Sequence, residues 1–323
     1  MSRTICVCLE FLTPELQQKI EETAKNFGFS VKFFACESDA AAALPDCEIL
    51  FSHSVDLVRQ APKTLKWYCC AWAGVEPYCK NDGVFANPDC LLTNSAGAYG
   101  VTIAEHLLMV TLMLLRRMPE YQEIIRNCDW RNDLPIRSIQ GSRITVLGAG
   151  DIGCTFAQRA RAFCPASITG VSRSGRARAD VFDETLPTVQ LDALLPRTDI
   201  LIMALPNTAE TAGILSRERL ALLPRHAVLV NVGRGTAIDQ AALADALNNG
   251  MLAGAALDVM VPEPLPADHP LRSAKHILLT PHVAGNMTLG YTCERAVSMF
   301  CEDLQNYAAG LPLRHLVDRT RGY

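Results

Sequence analysis

The segment Ile144-Thr-Val-Leu-Gly148-Ala-Gly150-Asp-Ile-Gly153 restricts the fold more than any other stretch of the chain. A short apolar run leads into three glycines in the spacing GxGxxG. Apolar residues Ile152, Phe156, Ala160 and Phe163 then recur at helical intervals. That pattern predicts strand, tight turn and helix. Gly148 permits the turn, Gly150 lets backbone approach a pyrophosphate, and Gly153 lets the helix pack on the strand, with Asp151 and Ile152 opening the helix. The free N–H groups and positive dipole end of such a helix would hold phosphates. A ligand-free turn is the plainer reading of the glycines by themselves; the strand before and the helix after argue for a dinucleotide site.

The rest of the chain alternates in the same way. Strand-like runs at Thr4–Leu9, Ser30–Ala35, Glu48–Ser52, Trp67–Ala71 and Cys90–Thr93 make a first unit that ends near Gly97. Between the first two, Thr13-Pro14-Glu15 supplies an N-cap, a first-turn proline and a first-turn acid for a helix that stops near Gly28. A long apolar helix spans Val101 to about Arg117. A second series then begins, with strands at Ile144–Leu147, Ile168–Ser172, Asp199–Leu205, Ala227–Val232, Ala255–Val259 and His276–Thr280. Apolar strands separated by helices imply parallel sheets covered on both faces, and six strands is the number a full dinucleotide-binding sheet needs. The residues after the sixth strand carry one helical pattern (Ala296, Met299, Phe300, Leu304, Tyr307), too little for a domain, and are expected to return to the first unit. The expected organisation is α/β: a Rossmann-type doubly wound sheet at 98–285 and a discontinuous, flavodoxin-like α/β domain at 1–97 and 286–323.

Composition removes several function classes. The 323 residues exceed the roughly 250–300 that one core organises. Net charge is -4, with no block of Lys and Arg in either half, which argues against nucleic acid. No apolar run approaches the roughly 18 residues of a membrane span. The opening MSRTICVCLE lacks the n- and h-regions of a signal peptide, so a cytoplasmic protein is expected. Its 13 scattered cysteines then read as reduced thiols, and no metal site is expected.

An NAD-binding chain usually places an acid about 20 residues beyond its glycine turn, to accept from the ribose hydroxyls. Here that place holds Ser172, followed by Arg173 and Ser174, with Arg176 close behind. An arginine suits a 2′-phosphate where an acid would repel it, so NADP(H) is expected over NAD(H); solvated loop arginines are the bland alternative. Ligands of an open parallel sheet sit beyond the carboxyl ends of its strands. Leu205 and Pro206, then Val232 and Gly233, stand at two such ends and are expected to line the cofactor. Arg234 follows the fourth strand, Asp258 and Glu263 the fifth, His282 the sixth. Arginine, glutamate and histidine are the charges that reduction of a 2-oxo acid requires: a carboxylate and carbonyl anchor, a partner for imidazolium, and a proton donor. Singly, each has a structural reading as a surface ion pair, a loop acid or a capping histidine.

Together these residues resemble the D-isomer-specific 2-hydroxyacid dehydrogenase family. Asn94-Ser-Ala-Gly97 with Ala104-Glu105-His106 resembles its crossing into the long helix, and GAGDIG, NVGRG, LDVMVPEP and TPHVAG resemble its later motifs in order and spacing. The resemblance implies that Arg234, Glu263 and His282 are catalytic, that Asp258 fixes the nicotinamide carboxamide, and that amides of Ala73-Gly74-Val75 bind the substrate carboxylate. It also implies a homodimer built around the long helix. Glu263 departs from the formate dehydrogenase branch, which has Gln. Cys69-Cys70-Ala71-Trp72 lacks the arginine of the phosphoglycerate branch, which argues for an unphosphorylated substrate. The pattern is most similar to the NADPH-dependent glyoxylate/hydroxypyruvate reductases. The alternatives are an NAD-dependent, D-lactate-like dehydrogenase and a cofactor-sensing, corepressor-like binding protein.

Overall fold

The computed structural model describes residues 3–79 and 83–322. The chain divides into two units, Met1–Tyr99 with Met287–Tyr323, and Gly100–Asn286.

In the first unit, strands β1 (Arg3–Cys8), β2 (Phe29–Phe34), β3 (Ile49–Ser52), β4 (Trp67–Cys70) and β5 (Leu91–Asn94) form a parallel sheet in the order β2-β1-β3-β4-β5. This is the flavodoxin-like order. Both faces are covered. On one, Ile5, Val7, Phe51 and Trp67 pack with Leu16 and Ile20 of the helix Pro14–Asn26 and with Val297, Phe300 and Leu304 of the helix Gly290–Ala308. Phe51 stacks on Phe300 with centroids 4.4 Å apart. On the other, Cys6, Leu50 and Tyr68 meet Leu44, Leu57 and Tyr78. The helix at Pro14 is capped as its sequence predicts, Thr13 Oγ1 accepting from the Leu16 amide at 3.4 Å.

The second unit holds β6 (Arg143–Leu147), β7 (Ser167–Ser172), β8 (Glu184–Pro187), β9 (Ile200–Met203), β10 (Val228–Asn231), β11 (Gly254–Leu257) and β12 (Ile277–Leu279). Their order is β12-β11-β10-β9-β6-β7-β8, every pairing parallel. This is the Rossmann order with one strand added at the β12 edge. Seven strands replace the six expected. The strand that the sequence pattern does not announce is β8, at the opposite edge, a short segment ending in Pro187 with no apolar run. The long helix forms where the sequence places it, beginning at Gly100. It ends at Leu115, Arg117 takes a left-handed φ of 55°, and a separate helix Met118–Arg126 follows.

The topology sets where chemistry can occur. All seven strands run the same way, so the loops after β6, β7, β9, β10, β11 and β12 gather at the carboxyl edge of one sheet. Among the described residues, no helix is long and apolar enough to cross a membrane.

Candidate active site

The glycine turn sits between β6 and the helix Asp151–Ala160. Gly148 has φ 107°, and a Cβ there would collide with the Ala204 carbonyl; one at Gly153 would collide with the Gly148 carbonyl. Packing within the protein therefore demands these two glycines. Gly150 differs. Its φ of -85° suits any residue, and nothing lies within 4 Å of where its Cβ would stand. The chain gives no reason for a glycine at that position, whereas a phosphate laid against the backbone does. The turn thus fits a dinucleotide. A Cβ on Gly233 would stand 2.6 Å from the Leu205 backbone N and O, so Val232-Gly233 and Leu205-Pro206 pack together beside the turn.

The loop after β7 closes on itself. Ser172 Oγ donates to the Arg176 carbonyl at 2.7 Å and accepts from the Arg176 amide at 3.0 Å, around Gly175 with φ 71°. The Ser172 hydroxyl proton is therefore committed to the turn. The expected ribose contact competes with this turn for the same hydroxyl. Arg173, Ser174 and Arg176 are exposed. Glu210, in the loop after β9, is held below the usual carboxylate range by the Thr208 side chain first, with Arg173 adding a smaller attraction. Sequence reading missed Arg178. Its amide donates to the Ala149 carbonyl at 2.9 Å, and its Nη1 lies 3.4 Å from Asp151 Oδ1. The only signal for it was a third arginine in a short run after the second strand.

Beyond β11 and β12 two of the expected residues meet. His282 Nδ1 is 2.8 Å from Glu263 Oε2, while Glu263 Oε1 accepts from the Met260 amide at 2.8 Å. With Nδ1 engaged, Nε2 is the ring nitrogen left to face a reactant. The His282 side chain is 53% exposed. Its backbone is left-handed, φ 55°, uncommon for any residue but glycine. Asp258 holds it there. The Asp258 carbonyl accepts from the His282 amide at 2.9 Å, Oδ1 accepts from Thr280 Oγ1 at 2.6 Å and the Val283 amide at 2.9 Å, and Oδ2 accepts from the Ala284 amide at 3.0 Å. Three of a carboxylate's roughly four lone-pair sites are thereby filled, and Asp258 is 3% exposed. Sequence reading assigned Asp258 to the cofactor and missed this task.

Arg234 follows β10. Its Nη1 donates to the Gly233 carbonyl at 2.7 Å, and Asn231 Nδ2 donates to the Arg234 carbonyl at 3.0 Å. The next residue, Gly235, packs so tightly on the Met260 backbone that a Cβ would collide with it. The arginine segment is thus seated against the residue whose amide holds Glu263. Among the described residues, no three His, Cys, Asp or Glu side chains gather as a metal would require.

Ala73, Gly74 and Val75 lie in the other unit, after β4. Asn94 Nδ2 donates to the Ala73 carbonyl at 2.7 Å and the Ser95 amide to the Trp72 carbonyl at 3.1 Å, fixing the loop through its carbonyls. Trp72 is not a core residue. It is 49% exposed and stacks on His53 with centroids 4.5 Å apart. The neighbouring Cys69 and Cys70 are buried, and burial pushes the Cys70 thiol up to about 11, so it packs as a neutral group.

Comparison with known proteins agrees with this layout. The family model for the NAD binding domain of D-isomer specific 2-hydroxyacid dehydrogenases matches residues 108–284. Over 224 residues the chain is 32% identical to glyoxylate/hydroxypyruvate reductase A of Salmonella newport, covering 69% of this chain and 70% of the relative. A D-isomer specific 2-hydroxyacid dehydrogenase family protein from Aeromonas salmonicida superposes with a TM-score of 0.83 at 29% identity, covering 99% of this chain and 100% of that one. An NADPH-dependent glyoxylate/hydroxypyruvate reductase from Sinorhizobium meliloti, solved with NADP and sulfate, superposes with a TM-score of 0.81 at 26% identity, with 100% of both chains covered.

Proposed function

The chain belongs to the D-isomer-specific 2-hydroxyacid dehydrogenase family, and on that premise we propose that it is an NADPH-preferring reductase of small unphosphorylated 2-oxo acids such as glyoxylate or hydroxypyruvate. The observation that carries this reading is the 2.8 Å contact between His282 Nδ1 and Glu263 Oε2 at the carboxyl edge of a dinucleotide-type sheet. The backbone of Gly148, Gly150, Asp151, Ile152 and Gly153 would hold the diphosphate of a nicotinamide dinucleotide, Leu205, Pro206, Val232, Gly233 and Asp258 would line the rest of it, and the bound cofactor would supply the hydride. His282 donates a proton from Nε2 to the keto oxygen. Glu263 keeps the imidazole oriented and stabilises its charged form. Arg234 pairs with the substrate carboxylate and polarises the carbonyl.

Unit Met1–Tyr99 with Met287–Tyr323 acts as the substrate domain in this reading, and unit Gly100–Asn286 as the cofactor domain. In this reading the amides of Ala73, Gly74 and Val75 are the substrate domain's contacts for a carboxylate, on a loop fixed by Asn94 Nδ2 donating to the Ala73 carbonyl. Preference for NADPH rests on Arg173 and Arg176, since the position after β7 carries no acid. The working protein is a homodimer. The helix Gly100–Leu115 leaves Met109 half-exposed, and Leu112, Met113, Arg116, Met118, Tyr121 and Ile136 line a groove of about 420 Å³ that a second copy can cover.

The deciding variant is His282→Ala. Positioned acid catalysis is worth about 10²–10⁴-fold, so turnover with a 2-oxo acid should fall by that order while NADPH binding, followed by its fluorescence, stays near normal. Turnover close to wild type would remove His282 from the mechanism.

A further inference from the structure

We infer that Arg178 is a positioning residue for the cofactor diphosphate: it cancels the charge that Asp151 places in the phosphate-binding turn, and so permits either nicotinamide cofactor to bind. The inference rests on the dinucleotide reading of the site and names a residue that the glycine motif does not contain.

Asp151 opens the helix whose N-terminus would face the phosphates. An acid in a first turn suits the helix dipole when no ligand is present, but it repels an anion approaching the same amides. Its carboxylate is poorly served by the protein. Oδ2 is buried and lacks a hydrogen-bond partner, lying so close to Gly100 that a Cβ there would stand 2.5 Å from it. Oδ1 has the Arg178 guanidinium at 3.4 Å.

Arg178 is far from Asp151 in sequence, and the backbone brings it there. Its amide donates to the Ala149 carbonyl, inside the glycine turn, so the loop after β7 is strapped to the turn before any side chain is considered. A guanidinium carries five N–H donors. One edge can meet Asp151 while the rest, on a side chain 58% exposed, remain for phosphate oxygens. The contact with Asp151 is long for an ion pair and open to water, so it leaves the guanidinium free to turn toward a ligand.

This role differs from reading the 2′-phosphate, and kinetics separate the two. In Arg178→Ala, KM for NADPH and for NADH should rise together by roughly tenfold, the loss of about one charge-assisted contact, while kcat at saturating cofactor stays within about twofold of wild type. Adding Asp151→Asn to that variant should restore both KM values, because the uncompensated charge is then gone. Thermal unfolding without cofactor, run on each variant, separates a folding defect from a binding one. A rise confined to NADPH, no rise at all, failure of Asp151→Asn to rescue, or a fall in the cofactor-free midpoint that accounts for the loss would each overturn the inference. A wild-type protein that binds neither nicotinamide would instead defeat the functional reading beneath it.

Discussion

The two ends of the seven-stranded sheet treat their charged groups in opposite ways. At the amino end, Asp199 stands just before β9 and is 10% exposed. Its oxygens accept from the Arg143 amide at 2.8 Å, the Arg143 guanidinium at 3.0 and 3.1 Å, and His226 Nε2 at 2.7 Å. Burial alone would raise this carboxyl, but Arg143 and His226 outweigh it and hold it well below the usual carboxylate range. At the carboxyl end, the His282 and Glu263 side chains are 53% and 36% exposed, His282 sits in a left-handed backbone, and Asp151 keeps one buried oxygen without a partner. One end closes its electrostatics within the protein. The other leaves them to be completed by something else, which is what distinguishes a binding edge from a stabilising one.

Asp258 is the test of that contrast, because it is a closed acid at the open end. Asp258→Ala removes three accepted hydrogen bonds and frees the His282 loop. It should cost about 3 kcal/mol of stability in denaturant titration and also lower turnover by at least about tenfold. Loss of stability with full turnover would mean that the loop finds its geometry without it.

Two glycines of one turn come next. Gly148→Ala forces a side chain into a left-handed position against Ala204 and should destabilise by about 2 kcal/mol or more. Gly150→Ala should leave stability within about 0.5 kcal/mol and raise KM for the cofactor instead. Equal loss of stability in both would return Gly150 to a packing role.

At the amino end, Asp199→Asn should cost about 2 kcal/mol, since both of its partners are half-exposed and screened, with kcat unchanged. Its pH dependence has a definite sign. The folded carboxyl titrates below its unfolded counterpart, so as pH falls the unfolded chain takes up the proton first. The contribution is full above about pH 4 and drains as pH drops below that value. Unfolding midpoints of wild type and Asp199→Asn should therefore converge in acid; parallel curves would show that the pair contributes nothing there.

The readable part of the molecule was whatever repeats with a local period or a fixed spacing. The apolar strands, the Thr13 cap and the glycine turn declare themselves within a few residues, and Glu263 with His282 could be paired because each follows a recognisable strand. What escaped depends on contacts between distant segments or on their absence. The strand Glu184–Pro187 is short, only partly buried and at an edge, so no burial pattern marks it. Arg178 reaches the glycine turn through one backbone hydrogen bond that no spacing encodes. Ser172 occupies the position where a ribose contact is expected, yet its hydroxyl turns inward to Arg176, a choice made by loop geometry around Gly175. The bracing by Asp258 was hidden because a buried acid and a ligand-binding acid look alike in sequence.

The most direct test of the functional account is the steady-state oxidation of NADPH and of NADH by the wild-type protein with glyoxylate and with hydroxypyruvate. Oxidation that depends on the 2-oxo acid, with kcat/KM at least about tenfold higher for NADPH, is the expected result. No such oxidation with either acid, or NADH used as well as or better than NADPH, would contradict it.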